Sequence, residues 1–434
     1  MKALVHTAPL KFELRDVPVP QPQEQEVRIR VQAVGICGSD VHGYTGTTGR
    51  RIPPIIMGHE ASGVVDSVGR AVAGIAPGER VTFDSTVYCN QCPACRLGHV
   101  NLCQTRKIIG VSTPTFHAEG AMAEYVVVPS WIIHKLPAAV SFEEAAMIEP
   151  AGVGMHAARI TPIDVNDVVL VIGAGQIGLL TMQGAKIKGA GTLVVMDVKE
   201  DRLAFAKKIG ADVVVNSAAG DPAEALQKAI GRPDADVVFE AVGLEATVAM
   251  SIRLTKLGGN LTLIGNVTPK IQVNLQEIIS REVTIRGSAA IAGEYPACLN
   301  LIAQGRLQVK PLISRILPLS DGQASFDALH HGEPGLMKNV GLHHQVFVDE
   351  LAAIDVVGVN ATDPGGGQKD HVGTLFGEEA SGGGLIEQIE FGVGVQDQIG
   401  VALGAQGAHQ RGTDQTAMAG DMDFSLVGNH HSSG

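Results

Sequence analysis

Val27-Arg28-Ile29-Arg30-Val31 alternates apolar and charged positions, the period of a strand with one buried face. Pro18, Pro20 and Pro22 punctuate the connection before it. Ala61–Val68, Gly78–Phe83 and Glu124–Val128 continue this all-β pattern, with glycine and proline at the breaks. Near Ser141 the pattern changes. Ser141-Phe142-Glu143-Glu144 offers an N-cap and first-turn acids to a helix that leads into Ile148-Glu149-Pro150. Val168–Ile172 is a continuous apolar, largely β-branched run, as in a strand buried on both faces. Leu193–Met196, Val213–Val215, Asp236–Phe239, Asn260–Ile264 and Val283–Ile285 follow as further strands, with helical stretches between them. The helix after Asp197 has Glu200 and Asp201 in its first turn, Lys207 and Lys208 in its last, and Gly210 as its stop, an order that suits the helix dipole. Strands alternating with helices predict an α/β region with a doubly wound parallel sheet.

Chemistry enters at the turn after the first of those buried strands. Gly173-Ala174-Gly175-Gln176-Ile177-Gly178 follows a strand, opens a helix, and has an acid, Asp197, 19 residues after its last glycine. Glycines there allow a tight turn, close backbone approach to a pyrophosphate, and helix–strand packing. The helix N-terminus presents N–H donors and a partial positive charge to phosphate. Asp197 can bond the adenosine ribose hydroxyls and would repel a 2′-phosphate, which favours NAD over NADP. The bland alternative is a glycine-rich core turn with a solvated aspartate.

Four of the six cysteines crowd into Cys89-x2-Cys92-x2-Cys95-x7-Cys103. Four thiolates so spaced can close around one tetrahedral zinc, a structural site with no open position. An iron–sulfur run would need a last gap of about three and a following proline; neither is present. A second set, Cys37 with Gly58-His59-Glu60, offers a thiolate, an imidazole and a carboxylate. Three protein ligands and one open position hold a catalytic zinc. Taken alone, Cys37 reads equally well as a small core residue. The four-cysteine lobe and the glycine turn move the balance to metal.

The chain of 434 residues has a formal charge of −12, unevenly spread. Residues 341–434 hold 13 Asp/Glu and 2 Lys/Arg, so the remainder is nearly neutral at −1. No basic stripe points to nucleic acid or to an anionic membrane surface. Lys11, Glu13, Arg15 and Asp16 come too early for the apolar core of a secretory signal, and no run approaches the roughly 18 apolar residues of a spanning helix. Clustered cysteines without a disulfide framework suit a reducing compartment, so a soluble cytoplasmic protein is expected. From Asn339 the composition shifts to an acidic tail with 19 glycines between 341 and 434, expected to be disordered. A frameshifted reading of downstream sequence would explain so abrupt a change; a functional acidic extension is the alternative. Val346–Val359 is apolar enough to order locally as a last strand.

Together these motifs resemble the zinc-containing medium-chain dehydrogenase/reductase family, from Met1 to about Lys338. The resemblance implies a β-rich GroES-like catalytic domain, 1–155 with a return segment at 290–338, and an NAD-binding Rossmann domain at 156–289 inserted between them. It implies a homodimer or homotetramer. Within the family the chain looks most like the sorbitol (L-iditol) dehydrogenases, which implies a small-molecule polyol substrate. Glu60 fits that branch as a zinc ligand. Glu149-Pro150 is similar to the segment that puts a second carboxylate beside the metal, so Glu149 either ligates zinc or tunes the bound water. Ser39 and His42 match the family's hydroxyl and histidine of a proton relay, and a structural hydrogen bond is the other reading of His42. By the same resemblance Ile177, Asp197 and Arg202 contact NAD, and Gly265, Asn266 and Val267 lie near its nicotinamide half. Two departures bear on the substrate. Sorbitol dehydrogenases carry an aromatic where Gly43 stands, and an Arg-Tyr pair where Ala290 and Ile291 stand. A sugar-alcohol phosphate of the galactitol 1-phosphate type, or threonine, is therefore an alternative substrate. A non-catalytic NAD-binding protein on the same fold is an alternative of another class.

Overall fold

The computed structural model describes residues 1–332 and 336–342. Two sheets organise them. The first is mixed, in the order Ile133–Lys135, Arg80–Phe83, Glu60–Val68, Glu26–Gly35, Asn339–Leu342, Arg315–Pro318, with Tyr125–Pro129 also paired to Glu26–Gly35. Its central strand is the alternating segment of the sequence. Val27, Ile29 and Val31 point into a core they share with Val65, Val81, Phe83 and Val126, while Arg28 turns outward to pair with Asp66 at 2.6 Å.

The second sheet has six strands, all parallel, in the order Val213–Asn216, Thr192–Asp197, Val168–Ile172, Ala235–Glu240, Thr255–Leu263, Thr284–Gly287. Numbered along the chain this is 3-2-1-4-5-6, the doubly wound order, and it places the ligand crevice at the carboxyl ends of strands one and four. The central strands are buried on both faces. Val169 and Val171 pack into one core and Leu170 and Ile172 into the other. That is why the run carries no alternation.

The helix Phe142–Ala146 begins where expected. Ser141 accepts from the Glu144 N–H at 3.2 Å, and the Glu144 carboxylate accepts from the Ser141 N–H at 3.0 Å. Three segments differ from the sequence reading. Gly38–Tyr44, to which the sequence pattern assigns no element, is a short helix. Its apolar positions are too few to show a period, and Asp40 near its start accepts from the Cys37 N–H. The fifth parallel strand starts at Thr255 rather than Asn260, because Gly258 adopts a positive φ of 68° that lets the chain bend without leaving the sheet. Asn339–Leu342, assigned to the tail, is a strand that pairs antiparallel with Glu26–Gly35 and parallel with Arg315–Pro318. The rest of the expected tail, with Val346–Val359, lies outside the described residues.

Candidate active site

Strand pairing builds the first ligand set. Gly35 ends the central strand of the mixed sheet and stands opposite Glu60. Cys37, two residues on, precedes the short helix, and Gly58-His59 leads into the strand that Glu60 opens. Gly58 takes a φ of 95° here, which costs a glycine little. The Cys37, His59 and Glu60 ligand atoms all lie within 4.8 Å of one another. Bonds of about 2.0–2.3 Å put the ligands of one tetrahedral zinc roughly 3.3–3.8 Å apart, so small side-chain rotations close the set. His59 and Glu60 are buried and Cys37 is partly so. Burial disfavours the His59 imidazolium, yet the Asp40 carboxylate and the Cys37 sulfur outweigh it and hold its pKa well above the usual value. The Asp40 carboxylate and the Cys37 sulfur thus surround His59 with negative charge.

The remaining groups around this set are ordered by hydrogen bonds. Ser39, exposed, donates to Cys37 Sγ at 3.3 Å. Asp40, fully buried, lies 3.5 Å from His59 Nδ1 and accepts two bonds from Arg51, at 3.0 and 2.7 Å. Burial raises the Asp40 pKa, but His59 and Arg51 outweigh it and leave the carboxyl well below its usual range. His42 has a lowered pKa, through burial first and the nearby His330 second. Glu149 stands outside the three-atom cluster. It accepts from Ser85 Oγ at 3.1 Å, and burial, with Glu60 adding, pushes its pKa up to about 7. Of the two readings of Glu149, ligand or tuner of the bound water, its hydrogen bond to Ser85 Oγ and its place outside the three-atom cluster favour the second. Lys338 also contributes: its ammonium, fully buried just before the last strand, is hydrogen-bonded to Glu60 Oε2.

Asp40, Arg51 and Lys338 had no role in the sequence reading. Asp40 follows Cys37 by three, the offset of a helix-capping residue, and that was a usable signal. Lys338 lies between Met337 and Asn339 in a mixed stretch that carries no sequence sign of its burial. Arg51 explains the Gly43 departure. A Cβ at position 43 would lie 2.1 Å from Arg51 Cγ, so no side chain fits there. Tyr44 does not replace the missing aromatic. It is buried against Phe12 and Phe326, and its hydroxyl donates to Leu10 O at 2.8 Å. Ile291 is a core residue packed against Gly152, and Ala290 holds a φ of 52°.

The four lobe cysteines also converge, with ligand atoms within 4.8 Å of one another. Cys89 Sγ and Cys95 Sγ are 3.9 Å apart, near the spacing a shared zinc imposes. Backbone N–H groups point at the sulfurs. Cys92 N–H donates to Cys89 Sγ and Cys89 N–H to Cys103 Sγ, each at 3.4 Å. Such donors lower the Cys89 pKa to about 6, which favours the thiolate that metal needs.

At the crevice of the parallel sheet, nothing lies within 4 Å of where a Gly175 Cβ would sit, at the N-cap of the helix Gln176–Lys188. The space is a cradle open to phosphate. Gly178 has the opposite reason to be glycine: its Cβ would fall 1.8 Å from Gly173 O. Asp197 ends the second strand. Its carboxylate accepts from Ala174 N–H at 2.7 Å and from Lys199 N–H at 3.0 Å. Arg202 Nη1 lies 3.7 Å from Asp197, while its Nε and Nη2 are buried with no partner. Buried donors of this kind need an acceptor, and a ribose or phosphate oxygen at the crevice would supply it. Gly265, Asn266 and Val267 follow the fifth strand. A Gly243 Cβ would meet Asn266 N at 2.3 Å, so this turn packs backbone to backbone on the one after the fourth strand. Glu240 fixes the latter by accepting from the Val242 and Gly243 N–H groups at 3.0 and 2.8 Å. The structure thus brings Ile177, Asp197, Arg202 and 265–267 to one end of the sheet.

Comparison with known proteins places this geometry. An alcohol dehydrogenase GroES-like domain matches residues 23–138 and a zinc-binding dehydrogenase domain matches 177–304. Human sorbitol dehydrogenase is 36% identical over 335 residues, which cover 76% of this chain and 93% of that protein. The chain belongs to the zinc-binding dehydrogenases. Among this family's members, grapevine (Vitis vinifera) L-idonate 5-dehydrogenase is 36% identical over 310 residues, 69% of this chain and 84% of that one. A solved Escherichia coli alcohol dehydrogenase complexed with NADH superposes with a TM-score of 0.74 at 29% identity, over 79% of this chain and all but 1% of that one. A zinc-binding dehydrogenase needs a metal site and a dinucleotide crevice, and the donor sets described here fit both. No helix among the described residues is long and apolar enough to cross a membrane.

Proposed function

We propose that the chain oxidises a secondary hydroxyl of a small polyol, of the sorbitol or L-idonate kind, with transfer of hydride to NAD. The observation that supports this most is the open three-ligand set Cys37, His59 and Glu60 with a hydroxyl, Ser39, hydrogen-bonded to the cysteine sulfur, in a chain whose relatives include a sorbitol dehydrogenase. Cys37, His59 and Glu60 would hold the catalytic zinc, and Cys89, Cys92, Cys95 and Cys103 the structural one. Bound zinc supplies Lewis acidity that brings the pKa of a coordinated water from 15.7 to about 7, and NAD supplies the hydride acceptor. The chain's own residues do the rest. Ser39 Oγ would accept the proton of the substrate hydroxyl as its own hydrogen turns away from Cys37 Sγ and passes to His42, which burial keeps neutral at pH 7 and which would release the proton to solvent. Glu149, protonated or not near neutral pH, lies close enough to Glu60 to tune the water of the site without ligating. Gly175 and the helix behind it seat the pyrophosphate. Asp197 and Arg202 hold the adenosine ribose, and 265–267 border the nicotinamide.

Residues 1–155 and 290–338 would form the catalytic domain, closed by Asn339–Leu342, and 156–289 the cofactor domain. A homodimer or homotetramer is supported by the exposed edge strand Thr284–Gly287 and by Leu275 and Ile279, one helical turn apart and 63% and 67% exposed. A cytoplasmic location is supported by six free cysteines.

The test is the initial rate of NAD reduction by zinc-replete protein with sorbitol, xylitol, L-iditol, L-idonate, galactitol, galactitol 1-phosphate, butane-2,3-diol and threonine. Turnover confined to unphosphorylated polyols or their acids is expected. Ala290 and Ile291 offer no charge to a phosphate, and preference for galactitol 1-phosphate would overturn the substrate class. Silence on every substrate with NAD and zinc bound would favour the non-catalytic reading.

A further inference from the structure

Arg51 has no part in the chemistry above, yet it is 4% exposed beside the catalytic ligands. Taking a guanidinium out of water costs several kcal/mol before its partners repay it, and an apolar residue of similar size is often the more stable choice. Stability is therefore a poor reason for it to be there. Its contacts suggest a better one. Nε and Nη2 both donate to Asp40 Oδ1, at 3.0 and 2.7 Å. Nη2 also donates to Ser39 Oγ at 3.3 Å, and Nη1 to Arg50 O at 3.0 Å. Asp40 passes the constraint on. Its other oxygen accepts from the Cys37 N–H at 3.4 Å, and Oδ1 stands 3.5 Å from His59 Nδ1. One planar fork thus touches the partner of one zinc ligand and the hydroxyl next to another.

We propose that Arg51 is a positioning residue for the catalytic centre, resting on the zinc and relay reading given above. It fixes Asp40 against His59, and it fixes the Ser39 hydroxyl by occupying one of its lone pairs. The partner of a ligating histidine's second nitrogen sets the tilt of the ring, and Arg51 sets that partner. Because Ser39 Oγ accepts from Arg51, its own hydrogen must point elsewhere, and it points to Cys37 Sγ at 3.3 Å. A second lone pair is left for the substrate proton. Lysine cannot do this, since a single ammonium lacks the rigid fork. Gly43 belongs to the same device. The Arg51 stem runs through the volume a side chain at 43 would need, so the glycine is what lets the arginine reach Ser39 and Asp40.

The experiment compares R51M, R51K and G43A with the parent protein on three readouts. They are metal affinity at the catalytic site, the visible spectrum of the protein with cobalt at that site, and the solvent deuterium isotope effect on kcat. R51M should lose roughly 10–100-fold in metal affinity, the range seen when outer partners of metal ligands are removed. Its cobalt bands should shift, and its solvent isotope effect should rise as proton transfer becomes slower than hydride transfer. R51K should recover little. G43A, which leaves the guanidinium in the sequence but displaces it, should move the readouts in the same direction, and the double variant G43A/R51M should be no worse than R51M. If R51M does not fold, R51K and G43A decide the matter on the same readouts. Parental metal affinity, cobalt spectrum and isotope effect in the folded variants, with only a lowered Tm, would reduce Arg51 to a structural ion pair and overturn the proposal. Metal affinity and spectrum are measured without substrate, so a wrong substrate class leaves them untouched.

Discussion

His42 takes its place in the relay from its protonation state. To accept a proton from Ser39 it must be neutral, and burial followed by the nearby His330 keeps its pKa below the ordinary value. Activity should then persist to lower pH than a free imidazole would allow, and fall only when pH drops through that depressed pKa. His330 stands at the end of the helix Gly322–His330, with its ring 6.2 Å from Tyr44 in an edge-on contact. H330Q removes a like charge from His42. Its pKa should rise, and the acidic limb of the kcat/KM profile should move to higher pH while the rate on the plateau changes little. A profile that stays in place would take His330 out of the electrostatics of the site. At this scale the sequence offered much. Cys37, His59 and Glu60 were legible because ligating chemistry needs particular side chains, and the structure brings them together. Arg51 and Lys338 were not, since an arginine in a polar stretch and a lysine near a domain end give no sign that they turn inward.

Whole elements were legible when burial wrote a period or an unbroken run into them. Val168–Ile172 is such a run because each face packs on a different core, and its bounds match the sequence reading. The helix Gly38–Tyr44 left no such mark. Its seven residues include two glycines, and it is held by Asp40 at its start and by the helix Gly322–His330, where Phe326 packs on Tyr44 and Asp327 accepts from the Tyr44 hydroxyl. The turn between the first parallel strand and its helix lies between these cases, since its glycines were visible but their separate reasons were not. Gly175 keeps a space empty, whereas Gly178 lets the helix close on Gly173 O. G178A should therefore act on the element as a unit. A Cβ 1.8 Å from a carbonyl oxygen forces the turn open and moves the helix N-terminus off the phosphates. The expected cost is about 1–3 kcal/mol in stability, as for other overpacked sites. NADH affinity, read by fluorescence titration, should fall by roughly tenfold or more, with both metals retained. Unchanged affinity would mean that the phosphates do not rest on this turn.

Across the whole molecule, the two metal sites have different relations to the fold. Cys37, His59 and Glu60 sit on or beside elements that strand pairing already fixes, with Gly35 opposite Glu60 and Lys338, just before the last strand, bonded to Glu60. The lobe has no such support. Its elements are a four-residue helix, a turn of 3-10 helix and two-residue strands, too short to stand without a crosslink. It is nevertheless tied to the rest of the chain. Asn101 Nδ2, two residues before Cys103, donates to Ala289 O at 2.8 Å and lies 3.4 Å from His156 Nε2. His156 in turn pairs with the buried Glu294 at 2.9 Å. Folding energy from a closed zinc site should therefore appear as stability of the lobe and of the segment it holds near 289–294. C103S should lose one equivalent of zinc and lower the Tm, by roughly 2–4 °C for each kcal/mol of the lost metal contribution. Activity should decline with it as Asn101 lets go of Ala289. C37S should also lose one equivalent, but with the Tm close to the parent and turnover abolished. Metal counting on the purified variants, beside calorimetry and initial rates, separates the two. A C37S protein that unfolds as readily as C103S would mean that the catalytic metal holds the strands together, and not the strands the metal.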